Sequence, residues 1–315
     1  MKKIFYLENN LFFIVNLITI IKFRNLINIF YNLVQNILEN LINEISEMII
    51  IKIGGGKEIN FDYIAEDLKN IVNKEKVIIV LGANYYRNKL AEELGIKIKI
   101  IESESGYKSV YSDQQLIDLM MMAYAGLAAK KLTSKLIQAN IKAISLSGID
   151  DQLIIAKRKK FITAKIENKI KLIDNDYSGK IEQINKELLD YLLAKDYVII
   201  ITPPAISYEG EILNVDNDQI VVNLAKIYHP QSVIFLIEAP GILKNNMNEE
   251  IIEHLKIAEL ENLIRESSDY GFQKKLLNIK RLTEFNIPKI IIADGRIEKP
   301  ISRALNSIGT VISSD

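Results

Sequence analysis

The stretch Met48-Ile-Ile-Ile-Lys52-Ile-Gly54-Gly55-Gly56 decides the fold class of this chain. A run of β-branched residues bounded by glycine is typical of a buried strand in a parallel sheet. A lysine inside such a strand is costly to bury unless an anionic group lies beside it. Glycines at the strand's carboxyl end let main-chain N–H groups approach a phosphate closely. The motif alone leaves an alternative equally open, a lysine that reaches solvent before an ordinary turn.

Strand and helix patterns alternate from residue 48 onward, and most of the apolar runs end in glycine or proline. Strands are predicted at 48–53, 76–81, 96–101, 142–147, 198–201, 233–237 and 290–293. Helices are predicted over 61–72, around Leu90 and Leu94, from a capping box at 112–115 through 127, and around His254. The alternation predicts an α/β fold with a mainly parallel sheet, whose ligands bind beyond the carboxyl ends of the strands.

Residues 151–182 break this alternation. Residues 153–156, 161–166 and 170–173 read as strands of an antiparallel hairpin flap. The flap carries the strongest basic run of the chain, Lys157-Arg158-Lys159-Lys160. Such a run is either a solvated hairpin or a docking surface for an acidic partner.

The composition excludes several classes of function. The chain has 315 residues, with Lys+Arg 40 against Asp+Glu 40, and this balance argues against a nucleic-acid-binding protein. It has no cysteine, which excludes disulfides and thiol nucleophiles and fits a cytoplasmic location. The two histidines, His229 and His254, are expected to be structural or solvated, so no metal site is predicted.

Residues 1–47 differ from the rest in being dense in Ile, Leu, Asn and Phe, with no glycine or proline. The apolar run at 11–21 is short and is interrupted by Asn16, so no membrane span is predicted. Three interpretations remain: a translated upstream segment before a natural start at Met48, an amphipathic oligomerisation helix and, ranked last, a membrane anchor.

The common nucleotide motifs are missing from the sequence, including G-x-x-x-x-G-K-[ST], G-x-G-x-x-G and the protein-kinase signature set. Glycines, lysines and acids remain at the ends of the predicted elements. Phosphoryl transfer needs little more than cations, main-chain donors and alignment. A carboxylate acceptor needs no general base, because its pKa of about 4.3 leaves it ionised at neutral pH.

The order of KIGGG, SGY-x-S-x-YSD, AKRKK, YSGK, TPPAIS-x-EGE-x-LNVD-x-D, APGIL, GFQKKL and ADGRIEKPIS resembles the amino acid kinase family over residues 48–315. Within it, the chain is most similar to the acetylglutamate kinase branch, and there to archaeal kinases of carrier-protein-linked aminoadipate or glutamate. The resemblance implies a three-layer α/β/α sandwich, with an acceptor-binding lobe at 48–205 and an ATP-binding lobe at 206–315. It also implies a cytoplasmic homodimer that uses ATP and Mg²⁺ to form an acyl phosphate in lysine or arginine biosynthesis.

Site residues follow from the resemblance. Lys52 and Lys275 would be the cations on the transferring phosphate, and Asp218 would orient both. Two further sets are expected. Nucleotide binding is assigned to Gly54, Gly55, Glu238 and Gly241, and acceptor binding to Gly82, Ala83, Val110 and Asn214. Gly54, Gly55 and Gly82 would donate main-chain N–H groups. The run Lys157, Arg158, Lys159 and Lys160 would face an acidic amino-group carrier protein.

Two departures from the family pattern affect the acceptor side. The family's His-Gly-Gly-Gly loop is Leu81-Gly82-Ala83-Asn84 here, and a positive φ would disfavour Ala83. The family's acceptor-binding arginine falls at Val110, a loss of about 1.5–3 kcal/mol unless Lys108 replaces it. Two alternatives therefore stay open, namely a nucleotide-binding regulatory paralogue and a kinase of free N-acetylglutamate.

Overall fold

The computed structural model describes Tyr31 and residues 48–102, 108–166, 169–244, 250–267 and 270–313. Residues Glu47–Asp315 form one compact unit. The predicted division into an extension at 1–47 and two lobes at 48–205 and 206–315 stays a prediction. The three interpretations of residues 1–47 lie outside the described residues, apart from the helical, exposed Tyr31. None of the helices in the described ranges is both long enough and apolar enough to cross a membrane.

Fifteen strands are described. They are β1 (Met48–Ile53), β2 (Lys76–Leu81), β3 (Ile100–Glu102), β4 (Lys108–Val110), β5 (Ala143–Gly148), β6 (Ile154–Arg158), β7 (Ile162–Ile166), β8 (Lys169–Ile173), β9 (Gly179–Ile184), β10 (Val198–Ile206), β11 (Ile212–Leu213), β12 (Ser232–Ile237), β13 (His254–Lys256), β14 (Lys289–Asp294) and β15 (Thr310–Ser313).

The described helices are α1 (Phe61–Leu68), α2 (Asn84–Glu93), α3 (Gln114–Met120), α4 (Ala129–Gln138), α5 (Lys186–Leu193), α6 (Asn217–Tyr228), α7 (Ile257–Glu266), α8 (Tyr270–Thr283) and α9 (Pro300–Leu305). A π-helical segment, Met121–Ala128, joins α3 to α4. Asp113 caps α3 by accepting a hydrogen bond from the N–H of Leu116, within the predicted capping box.

The central sheet has β1 near its middle and runs in the order β13-β15-β14-β12-β1-β2-β10-β6-β9, with β5 and β11 also paired to β10. Strand β1 is parallel to both neighbours, and Lys52 lies between Phe235 of β12 and Val80 of β2. The pairs β14–β15, β6–β9 and β10–β11 are antiparallel. The predicted mainly parallel sheet is confirmed, and it runs without a break across the two predicted lobes.

Helices cover both faces of the sheet, which confirms the three-layer sandwich. Side chains alternate along a strand with a period of two, so Met48 and Ile50 enter one core while Ile49 and Ile51 enter the other. Helices α5 to α8 pack on the first core, and α1, α3, α4 and α9 pack on the second. The same period places Lys52 on the face that α6 covers.

The antiparallel flap differs from its prediction in one strand. The sequence assigns residues 153–156 to it, but β6 lies in the central sheet beside β9 and β10. Leu153, Ile154, Ile155 and Ala156 are all buried, so this segment needs cover on both faces, as a central sheet provides. The flap consists of β4, β3, β7 and β8 in that order.

Two other predicted elements are wrong. The strand predicted at 96–101 is reduced to β3, which begins only at Ile100. The helix predicted around His254 is strand β13, where the buried Leu255 alternates with the exposed His254 and Lys256. Pairing with β15 imposes this period of two, and helix α7 begins after it at Ile257.

Helix α9 is fixed to α1 by a buried carboxylate. Asp67, only 3% exposed, accepts hydrogen bonds from the N–H groups of Ile301 and Ser302 at 2.7 and 2.8 Å, and from the Ser302 hydroxyl. The side chain therefore caps a helix that is distant in sequence.

Replacement of Asp67 with alanine is expected to lower the free energy of unfolding by about 2–3 kcal/mol, because buried N–H groups lose their acceptor. The measurement is urea denaturation. Asp62→Ala on the same helix is the control, since its ion pair with Lys135 is solvent-exposed and is worth less than about 1 kcal/mol. Equal losses in the two variants would contradict the capping role.

Candidate functional site

Two adjoining cavities lie at the carboxyl edge of the central sheet. The first, of about 610 Å³, is bordered by Gly54, Gly55, Gly56 and Glu238, and we name it the glycine cavity. The second, of about 700 Å³, we name the basic cavity after its lining. Five residues line both: Lys52, Asn84, Asp218, Gly271 and Lys275. The predicted catalytic residues thus meet where the two cavities join.

Lys52 has the anionic partner that its place in a buried strand requires. Its residue is 8% exposed, and its Nζ lies 3.3 Å from Oδ1 of Asp218 in the first turn of α6. An acidic side chain is favoured there by the helix dipole. The alternative of a lysine that extends to solvent is therefore wrong.

The start of α6 is joined to α8 by a second ion pair. Asp216 caps α6 by accepting from the N–H groups of Asp218 and Gln219, and it lies 2.6 Å from the Nζ of Lys274. Burial opposes ionisation of Asp216, but Lys274 and the N–H donors outweigh it and hold its pKa below the usual value. This pair brings α8, which carries Lys275, against α6. The predicted contact between Asp218 and Lys275 stays a prediction.

The loops after β1 and β2 are in direct main-chain contact. A Cβ on Gly55 would lie 2.5 Å from the nitrogen of Asn84 and 2.7 Å from that of Ala83, so this position requires glycine. Tyr85 also donates its N–H to the carbonyl of Gly55, at 2.8 Å. The two loops therefore form a single structural unit.

The main-chain N–H groups that are available to a phosphate in this unit are not all those predicted from the sequence. Gly54 donates its N–H to Leu236 and Gly82 donates to Ile53, at 2.8 and 2.9 Å, so neither N–H is available to a phosphate. The N–H groups of Gly55 and Asn84 have no acceptor among the residues that the structure describes. These two groups border the cavity and can receive an anion.

The substituted loop keeps a regular geometry. Ala83 has φ −145, well outside the region that favours glycine, so its Cβ causes no strain. Asn84 begins α2, and its Oδ1 accepts a hydrogen bond from the hydroxyl of Tyr124 at 2.5 Å. The two substitutions are thus accommodated without loss of the loop.

The remaining predicted residues separate into two groups. Val110 and Asn214 line the basic cavity, and Asn214 donates from Nδ2 to the hydroxyl of Ser112 at 2.9 Å. Gly82, Ala83 and Gly241 border neither cavity. Gly241 is buried against Thr310, where a Cβ would lie 2.7 Å from Oγ1, so its glycine has a packing explanation.

Several lining residues of the basic cavity were missed by sequence reasoning. Around it stand seven lysine or arginine side chains and two aspartates: Lys52, Arg87, Lys159, Lys180, Lys274, Lys275 and Arg281, with Asp216 and Asp218. Of these nine, only Lys52, Lys159, Lys275 and Asp218 have a role predicted from the sequence. The basic run at 157–160 is a signal for Lys159 alone. Arg87 belongs to no motif, and only the fold brings it to this wall.

The basic run divides into an inward and an outward part. Arg158 points inward, with Nη1 2.6 Å from Oε1 of Glu211 and its guanidinium 4.0 Å from the ring centre of Tyr177. These contacts give Arg158 a structural role, and its predicted role in docking stays a prediction. Lys157, Lys159 and Lys160 are exposed. Register between β6 and β9 sets Lys180 opposite Lys157 and so extends this exposed basic surface.

The chemistry of the two cavities suits a polyphosphate beside a carboxylate. Lysines supply point charges, and N–H groups at the strand ends supply directional donors. In the described part of the chain, no three histidine or acidic side chains converge to hold a metal ion. A metal that binds here would therefore have to be held mainly by the ligand's own oxygens.

We expect Gly55→Ala to weaken binding of inorganic triphosphate at least about tenfold, because the added Cβ forces the two loops apart. Isothermal titration calorimetry measures this directly. Gly126→Ala is the matched control, since its Cβ would meet only Met121 O, at an ordinary 3.5 Å. Unchanged triphosphate affinity in Gly55→Ala would contradict the role of this loop contact.

Comparison with known proteins agrees with this geometry. A model of the amino acid kinase family matches residues 47–294. The LysW-aminoadipate kinase of Thermus thermophilus is 32% identical over 268 residues, covering 84% of this chain and 100% of that protein. The LysW-aminoadipate/LysW-glutamate kinase of Sulfolobus acidocaldarius is 31% identical over 268 residues, with 84% and 100% covered.

A solved structure supports the fold. The N-acetylglutamate synthase of Neisseria gonorrhoeae, complexed with coenzyme A and N-acetyl-glutamate, superposes with a TM-score of 0.68 at 17% identity. The match covers 85% of this chain and 60% of that chain, and at this identity it bears on the fold alone. Sequence, fold and the cationic junction of the two cavities lead to one conclusion: this chain is a phosphotransferase that belongs to the amino acid kinase family.

Proposed function

We propose that this enzyme transfers the γ-phosphoryl group of Mg-ATP to the side-chain carboxylate of 2-aminoadipate or glutamate bound through its amino group to a LysW-type carrier protein. The product would be an acyl phosphate in lysine or arginine biosynthesis. One observation carries the proposal: the buried Lys52–Asp218 pair and Lys275 stand where the glycine cavity meets the basic cavity. The predicted homodimer and cytoplasmic location are part of the same proposal.

The nucleotide would place its phosphates in the glycine cavity. Gly55 and Asn84 would donate N–H bonds to them, and Glu238, which borders the same cavity, would face the nucleoside. Magnesium bound to the phosphates would neutralise part of their charge. With few carboxylates nearby, the protein suits a metal that arrives on the nucleotide.

The acceptor would enter from the basic cavity. Its ionised carboxylate forms a bond to the γ-phosphorus, while the bond from that phosphorus to the β–γ bridging oxygen breaks and its electrons leave with ADP. Lys52 and Lys275 would balance the charge on the transferred group. Asp218 holds Lys52 in place and, with one charge against two, does not cancel the field of both lysines.

The carrier protein would dock on the exposed basic surface formed by Lys157, Lys159, Lys160 and Lys180. Lys159 and Lys180 also line the basic cavity, so this surface continues into the acceptor's entrance. A carrier protein to which the acceptor is covalently attached must bind beside the entrance of the cavity that receives the acceptor. An acidic carrier would match the charge of these side chains.

Hydroxylamine trapping of acyl phosphate with Mg-ATP tests the proposal. The acceptors are carrier-linked aminoadipate, carrier-linked glutamate and free N-acetylglutamate. Product from a carrier-linked acceptor alone supports it. Equal product from the free acceptor overturns the carrier requirement, and no product from any acceptor, despite ATP binding, overturns catalysis.

Lys52→Met and Lys275→Met are each expected to lower turnover at least about a hundredfold, since each removes a cation from the transition state. Steady-state kinetics with the carrier-linked acceptor measures this. Lys69→Met, a half-exposed lysine that directly follows α1 and pairs with Glu66, is the control and should stay within about twofold of the native enzyme. Near-native turnover in either site variant would contradict the assignment.

The double substitution Lys157→Gln and Lys160→Gln should raise the KM for the carrier-linked acceptor roughly tenfold at low salt, with a smaller effect at high salt. The KM for ATP should stay unchanged. Lys195→Gln with Lys226→Gln, two exposed lysines elsewhere, is the charge-matched control. An equal rise in both double variants would show a general charge effect and no docking surface.

A further inference from the structure

Arg87 stands on the wall of the basic cavity, and none of the described carboxylates pairs with it. Three arginines in the described ranges are half-buried: Arg87, Arg158 and Arg296. Arg158 pairs with Glu211, and Arg296 pairs with Asp294. A half-buried guanidinium normally has such an anion, so the exception needs an explanation.

The contacts of Arg87 leave most of its donors unused. Its Nε and Nη2 donate to the neutral Oδ1 of Asn88, at 3.2 and 2.9 Å. No carboxylate pairs with it among the residues that the structure describes. Three of the five guanidinium N–H groups therefore remain for a ligand.

The position of Arg87 is close to the junction of the two cavities. It lies in the first turns of α2, where its main-chain N–H donates to Ala83. Arg87 and Tyr124 line the same cavity. Burial raises the pKa of Tyr124, and the positive charge of Arg87 opposes that rise. Tyr124 in turn bonds Asn84, which lines both cavities.

The same cavity lacks a cation where the family resemblance expects one. Val110 lines the basic cavity from β4 and offers no charge. An acceptor whose side-chain carboxylate receives the phosphoryl group still carries its α-carboxylate. That second carboxylate needs a donor pair, and arginine supplies one with bidentate geometry.

We propose that Arg87 binds the α-carboxylate of the acceptor, so that a guanidinium on α2 does what an arginine at position 110 would do from β4. This inference rests on the proposed function. Arg87 is a substrate-binding residue that fixes which carboxylate points at Lys52 and Lys275. Its counterpart ligand is therefore an N-substituted α-amino dicarboxylic acid.

Steady-state kinetics of Arg87→Met with the carrier-linked acceptor tests this role. The KM for the acceptor should rise tenfold to a hundredfold, while the KM for ATP stays within about twofold. An acceptor analogue with an α-carboxamide should lose a similar factor with the native enzyme and no further factor with Arg87→Met. Adding Val110→Arg to Arg87→Met should restore part of the lost affinity.

Lys89→Met, two residues further along α2 and paired with Glu93 at the surface, is the control and should leave both KM values unchanged. An unchanged acceptor KM in Arg87→Met would overturn the inference. If Arg87→Met raised the KM of the carboxamide analogue by the same factor as the KM of the carboxylate acceptor, the inference would also be overturned, because the role of Arg87 would then be structural. These results are distinct from a failure of the proposed function, in which the native enzyme phosphorylates no carrier-linked acceptor, and the assignment of Arg87 falls with it.

Discussion

The buried ion pair between Lys52 and Asp218 is the constraint on which the site depends. It forces the carboxyl end of β1 to face the first turn of α6, and the neighbouring Asp216–Lys274 pair then sets α8 beside them. Desolvation makes such a pair a weak source of stability, and well-packed apolar side chains often do as well or better. Its occurrence in the middle strand of the sheet is better explained by a bound anion than by folding. The fold positions the charge, and the charge defines where phosphate can bind.

The formal net charge of zero conceals a strongly polarised surface. Around the basic cavity, lysines and arginines exceed aspartates by seven to two, and Lys157 and Lys160 continue the positive field outside it. The compensating acids therefore lie elsewhere on the molecule. Attraction of this kind acts over about 10 Å at ordinary salt, which is enough to guide an acidic macromolecule or a polyphosphate into one cleft. Overall charge argues against indiscriminate binding of nucleic acid, whereas local charge affects what the cleft accepts.

Much of the fold could be predicted because its central strands are rich in β-branched residues. Lys52 was recognisable for the same reason, since one charge in a buried strand implies an anion nearby. Predictions became wrong where a pattern was shared by two structures. Residues 153–156 fit a hairpin or a central strand, and the short run around His254 fits a helix or a strand; the pairing partner decided both cases. Arg158 shows the same limit in the interpretation of a charged run. The sequence of four basic residues does not reveal which of them forms an ion pair with Glu211.

Arg87 illustrates why a binding site cannot be transferred between relatives by position alone. A carboxylate is recognised by a guanidinium at the correct distance and angle, whichever element carries it. Strand β4, with Val110, and helix α2, with Arg87, both reach the basic cavity although 23 residues separate the two positions in sequence. When one wall of a cavity loses the cation that binds a carboxylate, a cation on another wall can take over that contact. The mismatch at position 110 alone would therefore suggest a damaged site, whereas the cavity of this chain has an arginine, Arg87, on another wall.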